Sequence, residues 1–311
     1  MAWTKAPSTA SPRCVIDAMG HALAVLIVLF ATSSPIERVG HGDLESGCAA
    51  AVRRGDWVAA VDCLSRAIES GALDRADQSV ALVNRGVAYA ELGNFESAIA
   101  DYTNALELFP GDSIALNDRG NALAALGRCT AALADYNMAI AAKPDYAKAY
   151  NNRANCLIAI GRRKDAMEDF DRAIALMPGS ANYRFNRGNL RVESHEYAEA
   201  LEDYDSALRL NPSFPAAYAN RGVVRATLKD LEGAIADYSR ALAFDPRLHN
   251  ARHNRAKAYS ELGLNALALE DLGAALASDP TDTEAHMDRA IVLERLGAGP
   301  RMFENGRPVA P

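Results

Sequence analysis

The chain has 311 residues, of which half are hydrophobic, and a formal net charge of −7. This acidity argues against a nucleic-acid partner, because neutralising phosphates requires a basic surface. Only 7% of the residues are aromatic, and alanine is abundant, which suits closely packed short helices.

The first 40 residues differ from the rest of the chain. Lys5 and Arg13 precede an apolar run at 22–31, and Ala31 with Ser33 forms a small-x-small cleavage signal. A run of about ten apolar residues is too short to span a bilayer comfortably but fits a signal peptide. We therefore predict that 1–33 is a signal peptide or an N-terminal anchor. Export to the periplasm or the medium, a retained anchor, and a misread start in a cytosolic protein are the alternatives.

A fixed period begins further along the chain. Six prolines stand 34 residues apart: Pro110, Pro144, Pro178, Pro212, Pro246 and Pro280. A period of this length indicates a solenoid, in which each small unit packs on its neighbours. A stack of such units offers no obvious place for a catalytic constellation, so we expect a protein that is not an enzyme.

One unit, residues 79–112, shows how the repeat is built. Apolar positions at helical spacing end at Gly93, which is a typical residue after a helix C-terminus. A second amphipathic segment then runs as far as Pro110, because the residue before a proline is disfavoured in a helix. The unit is predicted to be helix, turn, helix, turn.

Small residues recur where two helices must approach each other closely. They form three columns: Gly86, Gly120, Ala154, Gly188, Gly222, Ala256 and Ala290; Ala98, Ala132, Ala166, Ala200, Ala234 and Ala268; and Ala105, Ala139, Ala173, Ala207, Ala241 and Ala275. With the period and the recurring tyrosines and prolines, this pattern closely resembles the tetratricopeptide repeat family. The resemblance implies an all-α fold, an α-α superhelix (solenoid) of tandem helix-turn-helix repeats with a concave inner face.

The predicted organisation follows from this alignment. Residues 41–78 are a divergent first repeat, 79–282 are six tetratricopeptide-like repeats, 283–297 are a capping helix and 298–311 are a disordered tail. That makes about seven repeats plus the capping helix.

Two charged columns accompany the small residues. Arginines lie on the first helices, from Arg85 to Arg289, and aspartates lie on the second helices, from Asp101 to Asp271. We expect a half-buried structural ladder in which each arginine pairs with the aspartate of the preceding unit, such as Arg119 with Asp101. Pairing within one unit, Arg119 with Asp135, is the competing register.

A third polar column is rich in asparagine, and the family geometry implies that it faces the concave groove. An amide side chain both donates and accepts hydrogen bonds, so several together could hold the backbone of an extended peptide. The alternative is that these amides only bond to neighbouring helices or water. The predicted peptide-binding residues are Asn117, Asn121, Asn151, Asn152, Asn155, Asn182, Phe185, Asn186, Asn189, Asn220, His253, Asn254 and Lys257.

The remaining signals are weaker. Removing the signal peptide would leave Cys48, Cys63, Cys129 and Cys156, which are either disulfide-bonded in one of three connectivities or small buried side chains. His249 and His253 have metal-ligand spacing, but the sequence fixes no acidic or cysteine partner nearby, so we expect no metal and no cofactor.

The predicted function is a non-catalytic protein–protein interaction scaffold that binds an extended peptide of a partner. The alternative is a structural or tethering module that binds folded partners through its helix faces. A membrane is a partner only if the N-terminal segment is not cleaved.

Overall fold

The computed structural model describes residues 48–297 and the backbone of two short strands beyond them. The predicted signal peptide or anchor lies outside the described residues, as does most of the predicted tail. Within that tail, β1 (Phe303–Glu304) pairs antiparallel with β2 (Arg307–Pro308). No helix of the described residues is both long and apolar enough to cross a membrane.

Residues 48–297 contain fifteen α-helices and no strand, which confirms the predicted all-α fold class. The helices are α1 (Cys48–Arg54), α2 (Trp57–Glu69), α3 (Arg75–Glu91), α4 (Phe95–Leu108), α5 (Ser113–Ala125), α6 (Cys129–Ala142), α7 (Ala147–Ala159), α8 (Arg163–Leu176), α9 (Ala181–Glu193), α10 (Tyr197–Leu210), α11 (Pro215–Thr227), α12 (Leu231–Phe244), α13 (His249–Glu261), α14 (Asn265–Ser278) and α15 (Thr283–Arg295).

The helices form pairs, each made of an odd-numbered first helix and an even-numbered second helix. We number these pairs as repeats 1 to 7, from α1–α2 to α13–α14. Helix α15 follows repeat 7 and is a first helix without a described second one. The chain divides into two compact units, one ending at Pro178 and the other beginning at Gly179. Within each unit, every helix packs on its neighbours in sequence.

The helix ends are set by a few residues. Each second helix of repeats 2 to 7 ends two residues before a proline of the 34-residue series, as at Leu108 and Pro110. Asp112 shows how a first helix begins, since its carboxylate accepts hydrogen bonds from the backbone N–H groups of Ile114 and Ala115. These signals keep the helices short and in register.

The turn inside each repeat requires a left-handed backbone. Glycine fills this position in most repeats, with a φ of 76° at Gly93. His195 and Lys229 adopt the same conformation, with φ of 62° and 68°. Because a Cβ atom is disfavoured at such angles, these two turns carry local strain that the glycine turns avoid.

Candidate functional site

Six arginine–aspartate pairs join the two helices of repeats 2 to 7. In repeat 3, Nε and Nη2 of Arg119 donate to the two carboxylate oxygens of Asp135 over 2.8 and 2.7 Å. The same two-bond geometry recurs in Arg85–Asp101, Arg153–Asp169, Arg187–Asp203, Arg221–Asp237 and Arg255–Asp271. The aspartates are buried and the arginines are half-buried. We call this set the ion-pair ladder.

The predicted register of this ladder is wrong. Arg119 pairs with Asp135 of its own repeat and not with Asp101, while Asp271 pairs with Arg255 and not with Arg289. The reason is that a tight turn joins the two antiparallel helices of one repeat, so that residues 16 apart lie side by side. The hydrogen bond to Asp135 raises the pKa of Arg119 above its ordinary value.

The arginines also reach the preceding repeat through their remaining nitrogen. Nη1 of Arg119 donates to the Thr103 hydroxyl over 3.2 Å, and Nη1 of Arg153 donates to Asn137 over 2.7 Å. Equivalent bonds join Arg85 to Ser65, Arg221 to Asp205 and Arg255 to Ser239. Each of these arginines therefore contacts the preceding repeat as well, although not through the predicted aspartate.

A second arginine joins the ladder in repeats 5 and 6. Nη1 of Arg191 donates to Asp203 over 2.7 Å, and Nη1 of Arg225 donates to Asp237 over 2.9 Å. Each of these two arginines supplies a third hydrogen bond to an aspartate that is already paired.

Glycine and tyrosine form a matched pair beside the ladder. A Cβ added at Gly120 would lie 2.6 Å from Cε1 of Tyr136, closer than carbon atoms approach in proteins. The same match recurs in Gly86–Tyr102, Gly188–Tyr204 and Gly222–Tyr238. Where the first helix carries alanine, the second helix carries another residue at the tyrosine position: Ala154 with Phe170, and Ala256 with Leu272. The sequence predicted the close packing but not this coupling.

All four cysteines of the described chain are disulfide-bonded. Cys48 bonds to Cys63 and so joins α1 to α2, with Cα atoms 5.4 Å apart. Cys129 bonds to Cys156 and joins α6 of repeat 3 to α7 of repeat 4, with Cα atoms 5.1 Å apart. Both separations are ordinary for disulfides. The sequence left open whether these cysteines form disulfides or are unbonded buried side chains, and in this structure they form disulfides.

In the first unit, the predicted asparagines bond mainly to one another. Nδ2 of Asn151 donates to Asn152, Nδ2 of Asn152 donates to Asn117, and Nδ2 of Asn117 donates to Asp118. This chain links repeats 3 and 4. A further asparagine, Asn121, accepts a hydrogen bond of 2.9 Å from the Tyr136 hydroxyl.

Burial divides these asparagines into two groups. Asn117, Asn121 and Asn151 are buried. Their prediction as groove-surface residues is therefore corrected: Asn117 links the first helices of repeats 3 and 4, and Asn121 links the two helices of repeat 3. Asn152 and Asn155 are half-buried and keep part of their amides at the surface.

The second unit has its own amide cluster. Oδ1 of Asn189 accepts from the Tyr204 hydroxyl over 2.7 Å and from Nδ2 of Asn220 over 2.9 Å. Because both bonds engage the amide oxygen, they orient the Asn189 side chain so that its NH₂ group points away from Tyr204 and Asn220. Asn189, Asn220 and Asn254 are half-buried, and Asn182 is exposed.

Two other predicted residues of this unit are not available to a ligand. Phe185 is fully buried, and its ring centroid lies 4.8 Å from that of Phe214 and 5.9 Å from that of Tyr204. Its prediction as an apolar groove contact is wrong, because its ring fills the core of repeat 5. Asn186 is also buried.

The basic end of the predicted site is paired with acidic residues of α15. Nε2 of His253 lies 2.7 Å from Asp288, and Nζ of Lys257 donates to Glu284 over 2.9 Å. The hydrogen bond from Lys257 lowers the pKa of Glu284. The ligand atoms of His253, Glu284 and Asp288 lie within 4.8 Å of one another, so these residues could hold a cation. Sequence reasoning missed this cluster, because Asp288 is 35 residues from His253.

The geometry defines a class of protein: within each unit, paired helices hold polar side chains at repeated positions, which suits binding to other proteins. The tetratricopeptide repeat profile matches residues 50–113, 83–147, 117–181, 185–248 and 253–301. The chain therefore belongs to the tetratricopeptide repeat family. Repeats of this family form protein-interaction scaffolds, which agrees with the predicted class of function.

Solved structures agree on the fold. A tetratricopeptide repeat protein from Parabacteroides merdae is 21% identical, with a TM-score of 0.61 over 81% of this chain and 98% of its own. PilF of Pseudomonas aeruginosa is 19% identical, with a TM-score of 0.63 over 70% and 99%. YrrB, described as having an unusual peptide-binding site, is 24% identical, with a TM-score of 0.50 over 60% and 96%. No curated protein sequence matches this chain.

Proposed function

We propose that this chain is an exported, non-catalytic scaffold that binds an extended peptide segment of a partner protein through its half-buried amides. One observation carries the proposal. In Asn189, the hydrogen bonds from Tyr204 and Asn220 both engage the amide oxygen, so that the NH₂ group points away from these two residues and can donate to a peptide carbonyl.

Asn155 extends the proposal to the first unit. It occupies the same position of repeat 4 as Asn189 does in repeat 5, and it is also half-buried. In the same helix, the side chain of Asn152 is held by its hydrogen bond to Asn117. Amides held in this way lose little conformational entropy when they bind, which favours several weak bonds acting together. A peptide-binding site is also described for YrrB, which shares the fold.

The test replaces an amide with a carboxylate of the same shape. Asn155→Asp with Asn189→Asp keeps every acceptor but removes the NH₂ donors and adds charge that repels peptide carbonyls. The probe is an array of extended ten-residue peptides, and hits are measured by titration with the purified exported protein. We expect binding at least about tenfold weaker than that of the unchanged protein.

A matched control is Asn104→Asp, an exposed asparagine on the second helix of repeat 2. It should leave both the melting temperature and peptide binding unchanged. Equal binding by the control and the double variant would refute the amide site.

Export is proposed from two separate features. The apolar segment at 22–31 has the length of a signal peptide. Cys48–Cys63 and Cys129–Cys156 are the second feature, since disulfides persist mainly in oxidising compartments. N-terminal sequencing of the exported protein, with titration of free thiols, tests both. Recovery of the uncleaved chain with free thiols in the cytosol would contradict the proposal.

A further inference from the structure

Helix α15 has the features of a first helix whose partner helix is missing from the described chain. Arg289 occupies the arginine position of the ion-pair ladder, and Ala290 occupies the glycine or alanine position next to it. In each of repeats 2 to 7, a second helix covers these two positions. After α15 the described residues contain no second helix.

Among residues 48–297, no helix covers one face of α15. Ala285 and Val292, on its inner face, are 0% and 1% exposed and pack into the core of repeat 7. On the other side Arg289 and Ala290 are exposed, although their counterparts in repeats 2 to 7 are half-buried and buried. We call the surface formed by Arg289 and Ala290 the open face.

The other repeats show which helix fits such a face. In repeat 7, α14 places Asp271 on Arg255 and Leu272 opposite Ala256, with Ala268 and Ala275 packed beside them. Repeat 4 uses the same pattern with phenylalanine after the aspartate. Tyrosine occurs only opposite glycine in these repeats, at Gly86, Gly120, Gly188 and Gly222.

We propose that the open face binds a helix of a partner protein with the pattern Ala-x-x-Asp-(Leu or Phe)-x-x-Ala. The aspartate pairs with Arg289, and the following residue packs on Ala290. Charge complementarity supports this occupant, since Arg289 is an exposed cation at a position that carries a bidentate carboxylate partner in repeats 2 to 7.

Two other occupants fit less well. In a second copy of this chain, the helices of this pattern among the described residues already pair with their own arginines. The segment 298–311 contains no aspartate and has prolines at 300, 308 and 311, which disfavour a helix of this length.

The test uses α14 itself as the probe. A fluorescein-labelled peptide of residues 265–278 is titrated with the full chain, and binding is followed by fluorescence anisotropy. We expect saturable binding that is at least about tenfold weaker for Arg289→Glu, because a charge-assisted hydrogen-bonded pair is lost. The control, Arg209→Glu, changes an exposed arginine elsewhere in the second unit and should bind the peptide normally.

A specificity exchange sharpens the test. A peptide with Leu272→Tyr should bind the Ala290→Gly variant better than the unchanged protein, because tyrosine stands opposite glycine in repeats 2, 3, 5 and 6 and never opposite alanine in repeats 2 to 7. A general apolar contact would not produce this exchange.

Fusing the α14 sequence to the end of α15 lowers the entropy cost of binding, because the helix is then part of the same chain. In a chain whose residues 298–311 are replaced by the sequence of 264–279, we expect a higher melting temperature, and Arg289→Glu should remove the gain. The proposal is overturned by equal binding to Arg289→Glu, or by no binding together with no gain in the fused chain. It is also overturned if the peptide binds only a chain shortened after Gly297, or if the open face mediates a dimer in sedimentation.

Discussion

The first repeat and the regular repeats join the same two helices by different chemistry. In repeat 3, Arg119 bonds to Asp135 and Gly120 packs on Tyr136. In repeat 1, which aligns 38 residues before repeat 2, the positions of these four residues carry Gly47, Cys63, Cys48 and Leu64. The first repeat has neither the ion pair nor the glycine–tyrosine contact.

In repeat 1, the Cys48–Cys63 disulfide replaces the ion pair and the glycine–tyrosine contact as the connection between the two helices. It connects the position of the packing glycine to the position of the ladder aspartate. The difference teaches that the fold needs a fixed connection at this point, while its chemistry is free to vary. An internal repeat has neighbours on both sides to support a half-buried charge, whereas a terminal repeat has a neighbour on only one side. A covalent bond does not depend on that support.

The largest expected effect comes from breaking the ladder inside a regular repeat. Asp135→Ala leaves Arg119 half-buried without its carboxylate, which we expect to cost about 3 kcal/mol of unfolding free energy, the low end for buried pairs. Chemical denaturation measures this. Glu96→Ala removes an exposed pair with Arg128 and should cost less than about 1 kcal/mol. Similar costs for the two variants would mean that the ladder is not a structural element.

Reduction of the Cys48–Cys63 bond should act on the first repeat, whose two helices this bond joins. For a separation of 15 residues, loss of the Cys48–Cys63 bond is expected to cost about 2–3 kcal/mol, mainly through the greater freedom of the unfolded chain. Hydrogen exchange should then show faster opening of α1 and α2.

The control is Cys129→Ser with Cys156→Ser, which leaves the first disulfide intact. In that variant, a reductant should still loosen α1 and α2. If α1 and α2 exchange at the same rate with and without reductant, the disulfide does not replace the ladder.

The sequence predicted the architecture well because its signals are local and repeated. Proline, the turn glycines and the helical spacing of apolar residues each act within one repeat, so the helix pairs could be assigned from sequence. The groove was harder to predict. Asn117 and Asn152 carry the same side chain, yet one is buried and the other half-buried, since the packing of neighbouring first helices decides their exposure. The Asp288–His253 contact joins residues 35 apart and leaves no local signal.

The glycine–tyrosine match should be sensitive to a single methyl group. Gly120→Ala places a Cβ 2.6 Å from the Tyr136 ring, and we expect destabilisation of about 2 kcal/mol through overpacking. Tyr136→Leu should recover part of this loss in the double variant, since Ala256 and Leu272 coexist in repeat 7. A thermodynamic cycle over the four proteins measures the coupling. Strict additivity would show that the two positions do not constrain each other.

The smallest effect concerns alkaline pH and arises in the repeats that carry a buried tyrosine at the position of Tyr136, which repeat 1 does not. Burial raises the pKa of Tyr136 well above its ordinary value, so the phenol stays neutral in the folded protein. In the unfolded chain the same tyrosine loses its proton near pH 10. The unfolded state then binds fewer protons, so stability is unaffected below about pH 10 and falls as pH rises further. Leu64 stands at this position in repeat 1 and contributes nothing to the effect.

Tyr136→Phe isolates the contribution of one phenol. Phe170 fills the equivalent position in repeat 4, so the ring itself should be tolerated. Between pH 10 and 11 the unchanged protein should lose about 1 kcal/mol more than the variant, because one fewer buried phenol opposes ionisation. Urea titrations at several pH values measure how steeply the unfolding free energy of each protein falls with pH. Loss of the Tyr136–Asn121 hydrogen bond shifts the variant by a constant amount and leaves its slope unaffected, so parallel slopes would contradict the assignment.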